Sequence, residues 1–158
     1  MVQPTLNLPP CTLKTQINPE THLEEIFDPQ RKKYVRLTPE EWVRQNFVRY
    51  LIDCLGFPKG RLQNELPIRV GRTEKRCDTV VFFQTGTPAV IVEYKAPTVQ
   101  LTQKVFDQIA RYNYALQVEY LIVSNGLQHY CCHLNRQLNR FEFLQQLPQW
   151  SQIETQAQ

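Results

Sequence analysis

The apolar positions change period along the chain, and the changes mark the elements. Residues 1–20 carry Pro4, Pro9, Pro10 and Pro19 with little periodicity and read as an irregular lead-in. Residues 24–37 read as a hairpin. Ile26-Phe27 and Tyr34-Val35 are strand-like, Asp28-Pro29 starts the turn, and Arg31, Lys32 and Lys33 make a basic, solvated tip. Thr38-Pro39-Glu40-Glu41 then opens a helix, with Thr38 at the N-cap, Pro39 at the first helical position and Glu41 as the third residue of a capping box. Trp42, Val43, Phe47, Tyr50, Leu51, Cys54 and Leu55 follow at helical spacing until Gly56-Phe57-Pro58-Lys59-Gly60 stops it. Strands are predicted over Leu66–Val70, Cys77–Phe83 and Ala89–Lys95, separated by a charged turn at 71–76 and a loop at 84–88. Leu101, Val105, Ile109, Tyr112 and Leu116 mark one face of an amphipathic helix. Tyr120–Ser124 and His129–Leu134 flank a tight Asn125-Gly126 turn, and Phe141–Leu144 adds a short strand. Residues 146–158, a Gln-rich tail, are expected to fray.

The order strand 89–95, helix 101–116, strand 120–124 is a crossover unit, which implies a parallel pair of right-handed connection. The neighbouring strands read as antiparallel. The predicted fold class is therefore α/β, a mixed central β-sheet flanked by helices, in a single domain over residues 21–145. The 158 residues are 42% hydrophobic and 21% charged, which excludes a largely disordered or fibrous chain. No apolar run is long enough to cross a bilayer. The N-terminus lacks a basic stretch followed by an apolar one, so no secretory signal is expected and the cytoplasm is the default compartment. The net charge of +3 permits a polyanionic partner without demanding one.

Two groups of residues hold candidate chemistry. His129, Cys131 and His133 alternate, so on a strand they share a face. Alternate Cα atoms on a strand lie roughly 6.8 Å apart, whereas zinc bonds are about 2.0–2.3 Å long, so a straight strand cannot wrap all three around one ion. The five cysteines include no CxxC pair and do not read as a disulfide framework. The second group is the stronger. Asp78 stands among apolar strand residues, and Val92-Glu93-Tyr94-Lys95 ends the next strand. A short loop joins the two strands, which makes Asp78 and Glu93 neighbours at one end of a hairpin, with Glu93 and Lys95 on the same face. Two adjacent carboxylates repel unless a cation lies between them. Oxygen ligands in a half-open site suit Mg²⁺ or Mn²⁺. A cross-strand acid–lysine pair accounts for Lys95 but leaves the second acid unexplained.

Asp78 followed by Glu93-Tyr94-Lys95 resembles the D…ExK core of the PD-(D/E)xK nucleases. The series Phe27-Asp28-Pro29, Leu37-Thr38-Pro39-Glu40-Glu41-Trp42-Val43-Arg44-Gln45, Gly71-Arg72, Arg76-Cys77-Asp78, Glu93-Tyr94-Lys95-Ala96-Pro97 and Asn125-Gly126-Leu127 resembles the N-terminal domain of type I restriction enzyme R subunits. The resemblance covers about residues 26–134 and implies a restriction-endonuclease-like core. It implies that Asp78 and Glu93 hold Mg²⁺ or Mn²⁺, that Lys95 assists an attacking water, and that Gln108 and Tyr112, which match a QxxxY motif, shape the site. It also suggests a third metal-facing acid on the first helix. Glu41 fits that place and equally fits the capping box, and Glu65 ranks below it. Arg72, Lys75, Arg76, Lys104 and Arg111 are candidate phosphate contacts. The expected activity is hydrolysis of DNA phosphodiesters. The alternative is a catalytically weak module on the same fold that binds nucleic acid or protein. No GxxxxGK[ST] phosphate loop occurs in the sequence, so no ATP site is expected. DNA is the expected partner, with a separate motor or specificity protein, or a second copy of the chain, as further candidates.

Overall fold

The computed structural model describes residues 2–156, without the side chains of Tyr114 and Gln156. Three short strands, β1 (Thr15–Ile17), β2 (Glu24–Asp28) and β3 (Lys33–Arg36), form an antiparallel sheet in that order. Helix α1 (Pro39–Asp53) follows, then a turn of 3-10 helix, β4 (Leu62–Val70), β5 (Thr73–Phe82), β6 (Pro88–Tyr94), α2 (Gln103–Leu116), β7 (Tyr120–Ser124), β8 (His129–Asn135), β9 (Arg140–Phe143) and the short α3 (Trp150–Gln156). Strands β4 to β9 make a six-stranded sheet in sequence order. Only β6 and β7 pair in parallel, through the α2 crossover, and the other pairs are antiparallel. This is the mixed sheet with flanking helices that the sequence predicts.

Alternation along the strands loads both faces of the sheet. Val81, Val90, Val92, Tyr94 and Ile122 pack with Phe47 and Leu51 of α1 and with Trp150 and Ile153 of α3. Val80, Ile91, Leu121 and Val123 pack on the other face against Val105, Ile109 and Tyr112 of α2. The start of α1 follows its sequence signal: the Thr38 hydroxyl accepts from the Glu41 amide at 3.1 Å.

Four local expectations are corrected. The lead-in contributes β1, and its Leu6 and Asn7 lie against the turn after β7, where the Asn7 amide donates to the Gly126 carbonyl at 2.8 Å. Gly126 has φ +84°, a left-handed conformation that favours glycine, and a Cβ there would press on the end of the Leu6 side chain, 2.6 Å from Cδ2. The charged turn at 71–76 is only the two residues Gly71 and Arg72, and Lys75 and Arg76 belong to β5, paired with Ile68 and Pro67. Arg31 is not part of a solvated tip, because it forms ion pairs with Asp28 and Glu41. The Gln-rich tail does not fray over its described part. Trp150 and Ile153 are buried, and the Trp150 amide donates to the Leu55 carbonyl at 2.8 Å. Two buried apolar side chains in the right register outweigh the polar composition around them. Residues 157 and 158 of that tail lie outside the described residues.

Candidate active site

The register of β5 and β6 builds the site. Thr79 pairs with Val92 and Val80 with Ile91, which places Asp78 across from Glu93 one step further along the ladder. Asp78 Oδ2 accepts from the Tyr94 amide at 2.9 Å. Lys95, just past the end of β6, is held by its own amide, which donates to the Ser124 carbonyl of β7 at 2.9 Å. Its Nζ lies 3.9 Å from Glu93 Oε1 and donates to Gln108 Oε1 at 3.5 Å. Gln108 is in turn within hydrogen-bonding range of the Tyr112 hydroxyl, one helical turn on. The structure thus brings together Asp78, Glu93, Lys95, Gln108 and Tyr112, from β5, β6 and α2.

The electrostatics of the pair are unfavourable as it stands. Burial, and then the charge of Asp78, push Glu93 up to about 9, with Lys95 opposing the shift. Burial likewise raises Asp78, against the pull of the Tyr94 amide and the Arg44 guanidinium, and Glu65 adds to the rise. Burial and the same two carboxylates push the Tyr112 hydroxyl up to about 12. Glu93 is only 6% exposed, and its Oε2 is buried with no protein donor on it. With both groups ionised the Asp78 carboxylate beside it offers no hydrogen, and the two share a bond only while one of them is protonated. An orphaned carboxylate oxygen facing a second carboxylate fits a divalent cation. Among the described residues no three His, Cys, Asp or Glu side chains lie close enough together to hold an ion by themselves. Mg²⁺ at Asp78 and Glu93 would therefore complete its shell with water, backbone oxygen or substrate, as this ion commonly does.

A pH dependence follows for the metal-free protein. Folded Glu93 keeps its proton up to about 9, whereas a carboxyl in the unfolded chain releases it near its ordinary 4.5. The folded state binds more protons across that window, so stability falls as pH rises through it. Melting in EDTA is expected to drop by roughly 5 °C between pH 5 and pH 9. Divalent ion should flatten the slope, because it binds the deprotonated form. A melting temperature that rises over this range would contradict the assignment.

Behind the pair stands a buried polar framework. Arg44 Nη1 donates to the Asp78 carbonyl at 2.7 Å, Nη2 to Glu65 Oε1 at 2.6 Å, and Nε to Glu41 Oε2 at 2.9 Å. Glu41 also accepts from Arg31 at 2.6 Å and from Gln45 at 3.0 Å. Glu41 is therefore placed with three donors on the α1 side and not on the Asp78–Glu93 pair. Its side chain does not close a capping box either, since the Thr38 amide donates to the Arg36 carbonyl. A second chain runs through the core: the Tyr94 hydroxyl donates to Thr79 Oγ1 at 2.9 Å, Thr79 Oγ1 to Asn64 Oδ1 at 2.7 Å, and Asn64 Nδ2 to Asp28 Oδ2 at 3.0 Å.

Arg44, Asn64, Thr79 and Asp28 are missing from the sequence-derived set. Arg44 had a signal, because it lies four and seven residues before Val48 and Leu51 and so shares their buried stripe. Arg72 lies in the β4–β5 turn, Lys75 and Arg76 on the outer part of β5, and Lys104 and Arg111 on α2. All five are exposed, and none forms an ion pair among the described residues. His129 and His133 are used structurally. His129 bonds Ser124 Oγ at 2.7 Å and the Asn7 carbonyl at 2.9 Å, and His133 stacks on Tyr120 with centroids 4.4 Å apart.

A model of the family described as the type I restriction enzyme R protein N terminus (HSDR_N) matches residues 39–148, well over half of the chain. The chain belongs to this family. A solved fragment of a putative HsdR subunit of a type I restriction enzyme from Vibrio vulnificus YJ016 is similar in fold. It superposes with a TM-score of 0.56 at 15% sequence identity, over 77% of this chain and 25% of that one. The chain thus spans about a quarter of that fragment's length, and at this identity the likeness concerns the fold. A search of curated proteins returns no match. The six-stranded mixed sheet of this R-subunit N-terminal domain is consistent with a restriction-endonuclease-like core. None of its described helices is long and apolar enough to cross a membrane.

Proposed function

We propose that this R-subunit N-terminal domain is a divalent-metal-dependent deoxyribonuclease. The observation that carries the reading is the buried, unpartnered Glu93 Oε2 beside Asp78, with the Lys95 ammonium 3.9 Å from the same carboxylate. Asp78 and Glu93 would hold Mg²⁺ or Mn²⁺, which when bound polarises a phosphoryl oxygen and acidifies water. Lys95 orients the attacking water and offsets charge that develops on phosphorus. Gln108 fixes the Lys95 ammonium, and Tyr112 closes the site on the α2 side. Arg72, Lys75, Arg76, Lys104 and Arg111 hold the DNA backbone by charge, independently of sequence. Other subunits, such as a motor or specificity protein, would direct the cut.

The test is cleavage of supercoiled plasmid, linear duplex, single-stranded and branched DNA, each with Mg²⁺, Mn²⁺ or EDTA. Wild type is expected to cut at least one of them in the presence of metal and none in EDTA. Lys95→Ala is expected to reduce the rate about 10²- to 10³-fold while leaving metal binding in place. Binding of DNA without cleavage under every condition would replace the nuclease reading by that of a binding module.

A further inference from the structure

The third acid suggested for the site can be assigned from the strand β4. Glu65 lies between Asn64, paired with Thr79, and Leu66, paired with Cys77, so it sits across from Asp78 on the far side from Glu93. Asp78 is thereby flanked by an acid on each neighbouring strand. Glu65 also has φ +59°, in the middle of a strand and without being glycine. Such a conformation is strained and persists where the surroundings over-determine it, often at functional sites. Arg44 takes one oxygen of Glu65 at 2.6 Å, and the side chain is 25% exposed, so the carboxylate keeps access to solvent beside the pair. Glu41, by contrast, is 6% exposed and bound to Arg31, Arg44 and Gln45. Glu93 Oε2, buried with no protein donor, independently marks this end of the sheet as one that suits a cation.

We infer that Glu65, and not Glu41, is the third acid of the metal site, acting from the outer shell of the ion through its charge and by accepting from water there. The inference rests on the proposal that Asp78 and Glu93 hold the ion. An outer-shell place agrees with the spacing, because Glu65 is not close enough to join the pair as a direct ligand. Arg44 then has a double task. It holds Glu65 at the site and ties the Asp78 carbonyl to α1.

The test is Mn²⁺ binding by calorimetry, which needs no cleavage. Glu65→Gln keeps an oxygen for Arg44 and nearly the same volume, so a purely structural role leaves the affinity unchanged. The expected result is a Kd weaker by about 10- to 100-fold, the usual cost of losing an outer-shell partner. Glu65→Gly removes the carboxylate and relieves the left-handed backbone. It should weaken binding equally, with the relief of the backbone offsetting part of the stability lost with the Arg44 ion pair. Glu41→Gln should alter stability more than metal affinity. If Asp78→Asn abolishes binding while Glu65→Gln leaves it intact, this inference is overturned and the pair stands. If wild type binds no divalent ion, both fall.

Discussion

Asp78→Asn is expected to reduce metal-dependent DNA cleavage by about 10³-fold or more and, at the same time, to raise the melting temperature of the metal-free protein. The loss follows from removing one of two carboxylates proposed to hold the ion, whose contribution of several kcal/mol converts to that factor. The gain follows from the crowding described above. Asparagine still offers an oxygen to the Tyr94 amide, which lies 2.9 Å from Asp78 Oδ2. It removes the charge that faces Glu93 on one side and Glu65 on the other. Relief of about 1 kcal/mol corresponds to an increase of about 2–4 °C for a chain of this length. Plasmid nicking and thermal melting in EDTA measure the two effects. An active variant would remove Asp78 from the metal site. A variant that is inactive because it melts earlier would show that Asp78 is a structural residue. Function and stability are expected to pull in opposite directions here, as they commonly do where a site holds like charges together.

Arg44→Ala is expected to cost about 3–5 kcal/mol of folding stability, the usual penalty for leaving one half of a buried ion pair without the other. Arg44 is 7% exposed, and its loss leaves Glu41 with Arg31 and Gln45 alone, strips one oxygen of Glu65 of its donor and frees the Asp78 carbonyl. A decrease in melting temperature of about 10 °C is expected. Urea denaturation should show a lower midpoint at unchanged slope. Adding Glu41→Gln to Arg44→Ala should recover part of the loss, because Arg31 alone then faces two buried acids, Asp28 and Glu41, and the second substitution removes one of them. Strict additivity of the two substitutions would mean that they do not share the network. The double variant also separates the roles. If stability returns and metal affinity does not, Arg44 acts on the site and not only on the fold.

What could be read from the sequence and what could not divide along a physical line. The start of α1 is legible because its signal is local: the Thr38 hydroxyl caps the Glu41 amide, and Pro39 fills a first-turn position whose amide would have no partner in the helix. The parallel β6–β7 pair was legible because a strand–helix–strand order leaves few topologies. The facing of Asp78 and Glu93 followed from a short loop and the two-residue period of a strand. Arg31 was misread because its partner Glu41 is ten residues away, beyond a turn whose path the sequence does not give. The conformation of Glu65 is not legible, since nothing in Asn64-Glu65-Leu66 announces a left-handed residue that normal strand chemistry avoids. The tail was misjudged on composition, where two apolar residues, Trp150 and Ile153, decided its place. The partner of Arg31 and the core that receives Trp150 and Ile153 both lie far along the chain, and a single sequence carries no local mark of either.

The hydrogen-bond chain from Tyr94 to Asp28 bears on how this domain can be cut and recombined. The family match begins at residue 39, yet Asp28 and Arg31 lie upstream of that point and hold Asn64 and Glu41 from there. A fragment started at residue 39, or a chimaera joined at the same place, would inherit both strands of the Asp78–Glu93 hairpin and lose the anchors beneath them. The working module is therefore larger than the segment that defines its ancestry. A piece that keeps these anchors has to begin ahead of β2, and one that keeps the strand paired with β2 and the Asn7 contact to the Gly126 turn has to begin earlier still.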